Sequence, residues 1–237
     1  MQTVILTGGL GTRLRPITEK VPKALVEIAG RPFIEYLLEW LARGGVREVV
    51  LSVGYRSDLI QDFVGDGRRW GLEVVYVDEG DELRGTGGAL RLAADRGALQ
   101  ERFLVTYGDS FLPIDFVAVW RHFLTRAEPA LMTVHDNRDR WDASNACFDG
   151  EKVTLYDKQV ASPRPPGMHF IDYGLSAFRR SVILDELPSG ARADLAGLLH
   201  RLSVRGDLAG YEVDRRFYEV GSLQGIRDFE EFLRHHS

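Results

Sequence analysis

The chain has 237 residues, 44% hydrophobic and 27% charged, which is ordinary globular usage and excludes a disordered or collagen-like polymer. Thirty Lys and Arg against 35 Asp and Glu leave a net charge of −5, so no nucleic acid is expected as a partner. Cys147 is the only cysteine, which excludes an internal disulfide or a multi-cysteine zinc cage and suits a reducing compartment, the cytoplasm.

The opening residues Met1 to Thr7 lack a basic segment and break at Gly8-Gly9, so no signal peptide is expected. No apolar run is long enough to span a bilayer, and no membrane partner is expected. Thr3 to Thr7 is a β-branched apolar run that reads as a buried strand entering the glycine-rich loop Gly8-Gly9-Leu10-Gly11. Phe33, Tyr36, Leu37, Trp40 and Leu41 recur at helical spacing after Pro32 and stop at Gly44-Gly45. Val46 to Val53 predicts a second strand, Ser57 the N-cap of a helix through Phe63, and Leu72 to Val77 a third strand. Gly85-Thr86-Gly87-Gly88 leads into a helical stretch from Ala89 to Ala94, and Arg102 to Thr106 makes a strand ending at Gly108-Asp109.

This alternation predicts an α/β fold: a Rossmann-like, mostly parallel open sheet with helices on both faces, binding ligands at the carboxyl ends of its strands. Beyond Phe111 the pattern becomes mixed. A helix is predicted over Asp115–Leu124, strands over Leu131–Val134, Asn145–Phe148 and Val153–Tyr156, and a hairpin turn at Asp149-Gly150. Ser162 to Gly167 reads as a loop, Phe170–Phe178 as a strand, Leu195–Leu202 as a helix and Phe217–Val220 as a short strand. A C-terminal helix capped by Ser222 follows. No linker or repeat divides the chain, so residues 1–237 are expected to form one domain, with a first half over 1–112 and a second over 113–237.

The signatures of P-loop kinases, dinucleotide dehydrogenases, zincins and serine hydrolases are absent, and the six histidines lack metal-ligand spacing. Present instead is Gly8-Gly9-Leu10-Gly11-Thr12-Arg13-Leu14-Arg15-Pro16-Ile17-Thr18, followed by Val21-Pro22-Lys23. Glycines let backbone N–H groups approach a polyphosphate, while an Arg and a Lys supply fixed positive charge. Only four residues are lysines, at positions 20, 23, 152 and 158, so a compact ammonium at Lys23 stands out in an arginine-rich chain.

This stretch resembles the signature of the sugar-1-phosphate nucleotidyltransferases, matching it element by element. The resemblance implies that Leu6, Gly8, Gly9, Gly11 and Thr12 cradle a nucleoside triphosphate, that Arg13 grips its β- and γ-phosphates, and that Lys23 stabilises the α-phosphate. Gly85, Thr86 and Gly87 fall in a segment that in this family approaches base and ribose. Asp109 takes the place of the aspartate that holds Mg²⁺, and Glu219 stands where a second metal aspartate is usual. Asn145, Asp157, Lys158, Asp172 and Gly174 align with the sugar-phosphate pocket, although Asn145, Asp157 and Asp172 depart from the family's more common residues.

The implied reaction is Mg²⁺-dependent transfer of a nucleotidyl group from an NTP to a sugar 1-phosphate, with release of pyrophosphate. Arg13, Lys23 and Asp109 are the expected catalytic residues, and the second half holds the sugar phosphate. The short length is similar to heptose-1-phosphate guanylyltransferases and to muramate or hexose-1-phosphate uridylyltransferases, with the lean toward GTP. UTP-, CTP- or dTTP-dependent transfer, cytidylyl-type transfer to a non-sugar phosphate, and a non-catalytic nucleotide-sugar sensor are the competing readings. The family is often homo-oligomeric, but no contact face is identifiable. No hexapeptide repeat follows residue 220, so a β-helical acyltransferase domain is not expected.

Overall fold

The computed structural model describes residues 1–9, 11–80, 82–160 and 163–236. Leu10 of the glycine-rich loop and Ser162 of the predicted 162–167 loop lie outside them. Strand β1 (Gln2–Leu6) is followed by the short helix α1 (Ile17–Lys20), a two-residue ribbon of β2 (Glu27–Ile28) and β3 (Arg31–Pro32), and helix α2 (Phe33–Arg43). Strand β4 (Glu48–Val53), helix α3 (Ser57–Val64), β5 (Glu73–Asp78), α4 (Gly85–Asp95) and β6 (Arg102–Tyr107) complete the alternating half. β1 pairs in parallel with both β4 and β6, and β4 pairs in parallel with β5, so the order across this half is β6-β1-β4-β5.

Period-two alternation sends side chains of one strand to two different cores. Val4 and Leu6 of β1 join Val50, Val105, Leu90 and Ala93 on one face, while Ile5 joins Val49, Leu51, Leu104, Leu37 and Leu41 on the other. Helices therefore cover both faces, as the alternating pattern requires.

The second half consists of β7 (Ser110–Phe111), α5 (Phe116–Thr125), β8 (Ala130–Asp136), β9 (Ala146–Phe148), β10 (Val153–Tyr156), β11 (Phe170–Arg179), α6 (Arg180–Glu186), α7 (Leu195–Arg205), β12 (Leu208–Glu212), β13 (Tyr218–Glu219) and α8 (Leu223–His236). β11 pairs antiparallel with β6, β8 and β9, so one long strand joins both halves in a single nine-stranded sheet. The Asp149-Gly150 turn links β9 to β10 antiparallel, as expected.

Asp115 caps α5, accepting from the Ala118 N–H at 3.0 Å, and Ser222 Oγ accepts from the Gly225 N–H at 3.1 Å at the start of α8. Ser57 is not the N-cap of α3. Arg56 takes that position in a left-handed conformation, and Ser57 Oγ instead donates to Asp78 Oδ2 at 2.6 Å, tying α3 to the end of β5. Helix α6 and strand β12 were not anticipated. α6 follows β11 without an intervening loop, and β12 joins the sheet beside β8.

The last helix matters for function because it anchors a remote strand. Phe229 of α8 is fully buried with Ile28, Phe33, Phe111 and Val220, and β13 pairs with β7 so that Glu219 lies opposite Ser110. The Val220 N–H donates to the Asp109 carbonyl at 2.8 Å. A residue 110 positions downstream is thereby locked beside the end of β6.

Candidate active site

The carboxyl ends of β1, β4, β5 and β6 open onto a cavity of about 450 Å³. Leu6, Gly8, Gly9, Gly11, Thr12, Lys23, Gly85, Thr86 and Asp109 all line it. A second cavity of about 210 Å³ adjoins it, sharing Tyr107 and Asp109, and is lined by Asn145, Lys158, Asp172, Gly174 and Glu219. The two halves of the chain thus contribute adjoining chambers that meet at the end of β6.

Steric limits explain the glycines of the first chamber. Gly11 has φ +60, and a Cβ there would stand 2.8 Å from Thr18 Cγ2 and 3.3 Å from Lys23 Cβ, so the loop closes on these residues only without a side chain. Thr18 Oγ1 fastens the closure by donating to the Gly11 carbonyl at 2.8 Å. A Cβ on Gly108 would meet Thr7 Cγ2 at 2.4 Å, which keeps the backbone of Asp109 close to the end of β1.

Four charges converge where the chambers meet. Lys23 Nζ pairs with Asp109 Oδ2, and Arg13 Nη2 donates to Glu219 Oε1 at 2.9 Å. A Cβ on Gly221 would lie 2.7 Å from Glu219 Oε1, 2.9 Å from Lys23 Nζ and 3.0 Å from Arg13 Nη2. Each cation is held by a carboxylate, and an entering polyanion could draw both cations away.

The donor set also bears on a metal. Among the described residues no cluster of three or more His, Cys, Asp or Glu side chains has a metal-binding arrangement. Asp109 and Glu219 nevertheless face the same chamber, and Mg²⁺ is commonly held by one or two carboxylates together with phosphate oxygens and water. Two hard oxygen donors on one chamber fit that ion. Glu219, one methylene longer than aspartate, reaches this chamber from β13.

In the second chamber, Asp172 is held by its surroundings. Its Oδ1 accepts from the Gly174 N–H at 3.0 Å, its Oδ2 accepts from the Tyr156 hydroxyl at 3.2 Å, and its own N–H donates to Asn145 Oδ1 at 2.9 Å. Gly174 has φ +102, which allows the tight turn onto that carboxylate. Burial, reinforced by the negative charge of Asp172, pushes the Tyr156 and Tyr107 hydroxyls well above the usual tyrosine range, so both stay protonated.

Three predicted residues line neither chamber: Arg13, which is placed by its pairing with Glu219, Gly87 and Asp157. The Gly87 N–H donates to the Ala193 carbonyl at 2.9 Å, and a Cβ there would stand 3.2 Å from that oxygen; Gly87 packs α4 against the segment before α7 and does not line the chamber. Asp157 also lies away from the lining, its Oδ1 accepting from the Gln159 N–H at 2.8 Å in a local turn.

Conversely, the sequence reading passed over Glu79, Arg192, Ser52, Leu83 and Tyr107 in the first chamber and Asp142 and Ser110 in the second. Glu79 directly follows β5, and its position at a strand end was a usable signal. Arg192 offered none, since only the packing of residues 191–194 on Gly85–Gly88 brings it in. A larger cleft of about 890 Å³, lined by Arg31, Arg43, Arg215 and Arg216 together with aromatic side chains such as Trp40 and Tyr218, contains none of the predicted residues. Among the described residues, no helix is long and apolar enough to cross a membrane.

Comparison with known proteins bears on the fold and the family. The family described as nucleotidyl transferase matches residues 2–143. The D-glycero-alpha-D-manno-heptose 1-phosphate guanylyltransferase of Aneurinibacillus thermoaerophilus is 34% identical over 241 residues, covering 100% of both chains. The UTP–glucose-1-phosphate uridylyltransferase of Synechocystis is 29% identical over 99% of this chain, which spans only 63% of that relative. Among solved structures, the inositol-1-phosphate CTP transferase of T. maritima superimposes with TM-score 0.80 at 21% identity, covering 98% of this chain and 94% of that one. HddC from Yersinia pseudotuberculosis complexed with GMP-PN gives TM-score 0.77 at 24% identity, covering 98% and 99%. These likenesses establish the α/β fold expected from the sequence. With more than half its length matched by the family and an end-to-end relative at 34% identity, the chain belongs to the nucleotidyl transferase family of enzymes.

Proposed function

We propose that the protein transfers a nucleotidyl group from an NTP to a sugar 1-phosphate, releasing pyrophosphate and forming a nucleotide-sugar. One observation carries this reading: the Lys23–Asp109 and Arg13–Glu219 pairs sit where a glycine-lined chamber meets a polar one. Residues 1–112 bind the nucleotide and 113–237 the sugar phosphate, except that Arg192 reaches across to the first chamber. GTP is the preferred nucleotide, and a heptose or hexose 1-phosphate the acceptor. The full-length similarity to a heptose 1-phosphate guanylyltransferase supports both.

A phosphate monoester has a second pKa of about 6, so the acceptor arrives largely as a dianion and needs no general base. The task left to the protein is to bring two polyanions together in line at the α-phosphorus. Gly8, Gly9 and Gly11 admit the triphosphate close to the backbone. Arg13 leaves Glu219 for the departing pyrophosphate, and Lys23 leaves Asp109 for the α-phosphoryl oxygens, where charge accumulates during transfer. Lys158, with Nζ 5.8 Å from the Tyr107 ring centroid, holds the acceptor phosphate at the edge of the second chamber. Asp172 and Asn145 present acceptors to sugar hydroxyls, and the Asp172 carboxylate is kept in place by Tyr156. Asp109 and Glu219 are the residues that would hold Mg²⁺, which supplies charge neutralisation of the triphosphate when bound.

The test is a matrix of five NTPs against sugar 1-phosphates with Mg²⁺, read by pyrophosphate release. Release with a sugar 1-phosphate and not with the NTP alone is expected. No release with any pair, from protein that binds NTP, would overturn the assignment.

A further inference from the structure

The second chamber is more acidic than the phosphate chemistry requires. Among the described residues, the carboxylates of Asp109, Asp142, Asp172 and Glu219 line it, against the single ammonium of Lys158. Asp109 is paired with Lys23 and Glu219 with Arg13, and these two carboxylates are the ones that would hold Mg²⁺. Lys158 is committed to the acceptor phosphate. Asp142 and Asp172 remain, and neither has an ion-pair partner among the described residues. The arginines at 215 and 216, next in the chain to Phe217 of this chamber, line the separate larger cleft instead.

Both remaining carboxylates are anchored. Asp172 Oδ1 accepts from the Gly174 N–H at 3.0 Å, and Oδ2 accepts at 3.2 Å from the hydroxyl of Tyr156, whose side chain is fully buried. The Asp142 carbonyl accepts from Nδ2 of the fully buried Asn137 at 2.7 Å, and its Oδ1 accepts from the Ala143 N–H at 2.7 Å. An ionised carboxylate accepts hydrogen bonds and donates none. Fixed groups of this kind suit hydroxyl and ammonium groups and repel a second anion, which would find no cation to meet it.

We propose that this chamber selects its acceptor by charge: the sugar 1-phosphate it takes carries no anionic group beyond that phosphate, and Asp142 with Asp172 excludes sugar acids and sugar bisphosphates. Of the acceptors that the family resemblance leaves open, a heptose or hexose 1-phosphate meets this condition. Muramate, which bears a carboxylate, does not.

This inference deepens the proposed function and rests on its acceptor site, but it can fail separately. The experiment measures equilibrium binding of acceptors to protein holding Mg²⁺ and a non-transferring α,β-methylene NTP. The acceptors are glucose and mannose 1-phosphates carrying at C6 an aminomethyl, carboxamide or carboxylate group. Carboxamide and carboxylate have nearly the same shape, so their ratio isolates charge. In the series that binds more tightly, the uronamide should bind native protein roughly 10- to 100-fold more tightly than the uronate, the repulsion of like unit charges about 6–10 Å apart at an effective dielectric of about 20. The amino sugar should bind at least as tightly as the uronamide. In the double variant Asp142→Asn, Asp172→Asn, checked for folding by thermal melting, the uronamide-to-uronate ratio should fall to within about threefold. A native ratio near one, tighter binding of the uronate, an amino sugar weaker than the uronamide, or no binding of any acceptor would each overturn the proposal without the variant. An undiminished ratio in the folded variant would do the same. Charge-selective binding without pyrophosphate release from native NTPs would sink the transfer reaction and leave the selectivity standing.

Discussion

Replacing Lys23 by Ala isolates the electrostatic core of the proposed reaction. Lys23 is only 14% exposed at its side chain and its partner Asp109 26%, so the ammonium works in a partly dry setting. At an effective dielectric of about 20, a unit charge about 4 Å from a unit of phosphoryl charge contributes ~4 kcal/mol. Withdrawing from Asp109 gives back about 1 kcal/mol, as for a partly exposed pair. The net of about 3 kcal/mol corresponds to a roughly 100-fold fall in kcat. Folding should lose about 1 kcal/mol or less, a melting shift of only ~2–4 °C for a chain of this size. The assay is pyrophosphate release under saturating NTP and acceptor, beside a thermal melt. Mn²⁺ binding without nucleotide supplies an independent reading: freeing Asp109 of its ammonium should tighten it, because the metal no longer competes with Lys23. Turnover within about threefold of native, from folded protein, would refute the reasoning.

Other substitutions probe the framework. A Cβ on Gly225 would lie 1.9 Å from the Glu219 carbonyl oxygen, so Gly225→Ala must displace α8 from β13; melting temperature and turnover should both fall. Tyr156→Phe removes the 3.2 Å bond to Asp172 and should raise the acceptor KM roughly 10-fold with the NTP KM unchanged, read from initial rates. Chelation of divalent metal should abolish turnover, with recovery on adding Mg²⁺. Stability should fall in acid through Glu128: despite burial, which raises its pKa, hydrogen bonds from Arg126 and Lys152 hold the carboxyl at about 2, down from 4.5. Its contribution is full above the unfolded value near 4.5 and is lost as the pH falls toward about 2. Complete loss amounts to at most about 3 kcal/mol, less after solvent screening of the half-exposed Lys152. Urea unfolding at pH 6 and pH 3 should show the gap between native protein and Glu128→Gln closing in acid.

What the sequence revealed and what it hid divide along a physical line. The glycine loop, Lys23 and Asp109 were legible because local geometry and chemistry coincide there: a strand ends, the chain must turn without side chains, and charge follows at once. The parallel half was legible because each of its strands alternates with a helix at short range. Glu219 lies 110 residues from Asp109, and its place depends on β13 pairing with β7 under the aromatic cluster around Phe229. The family pattern supplied what no local signal could. Asp157 shows the opposite failure: a carboxylate beside a lysine at a strand end suits a sugar pocket, but Lys158 lines the second chamber and Asp157 does not. Glu79, held by the Arg84 N–H, does line the first chamber. Sequence identifies which residues can do the chemistry; which of them reach a chamber is decided by the packing of the turns around them.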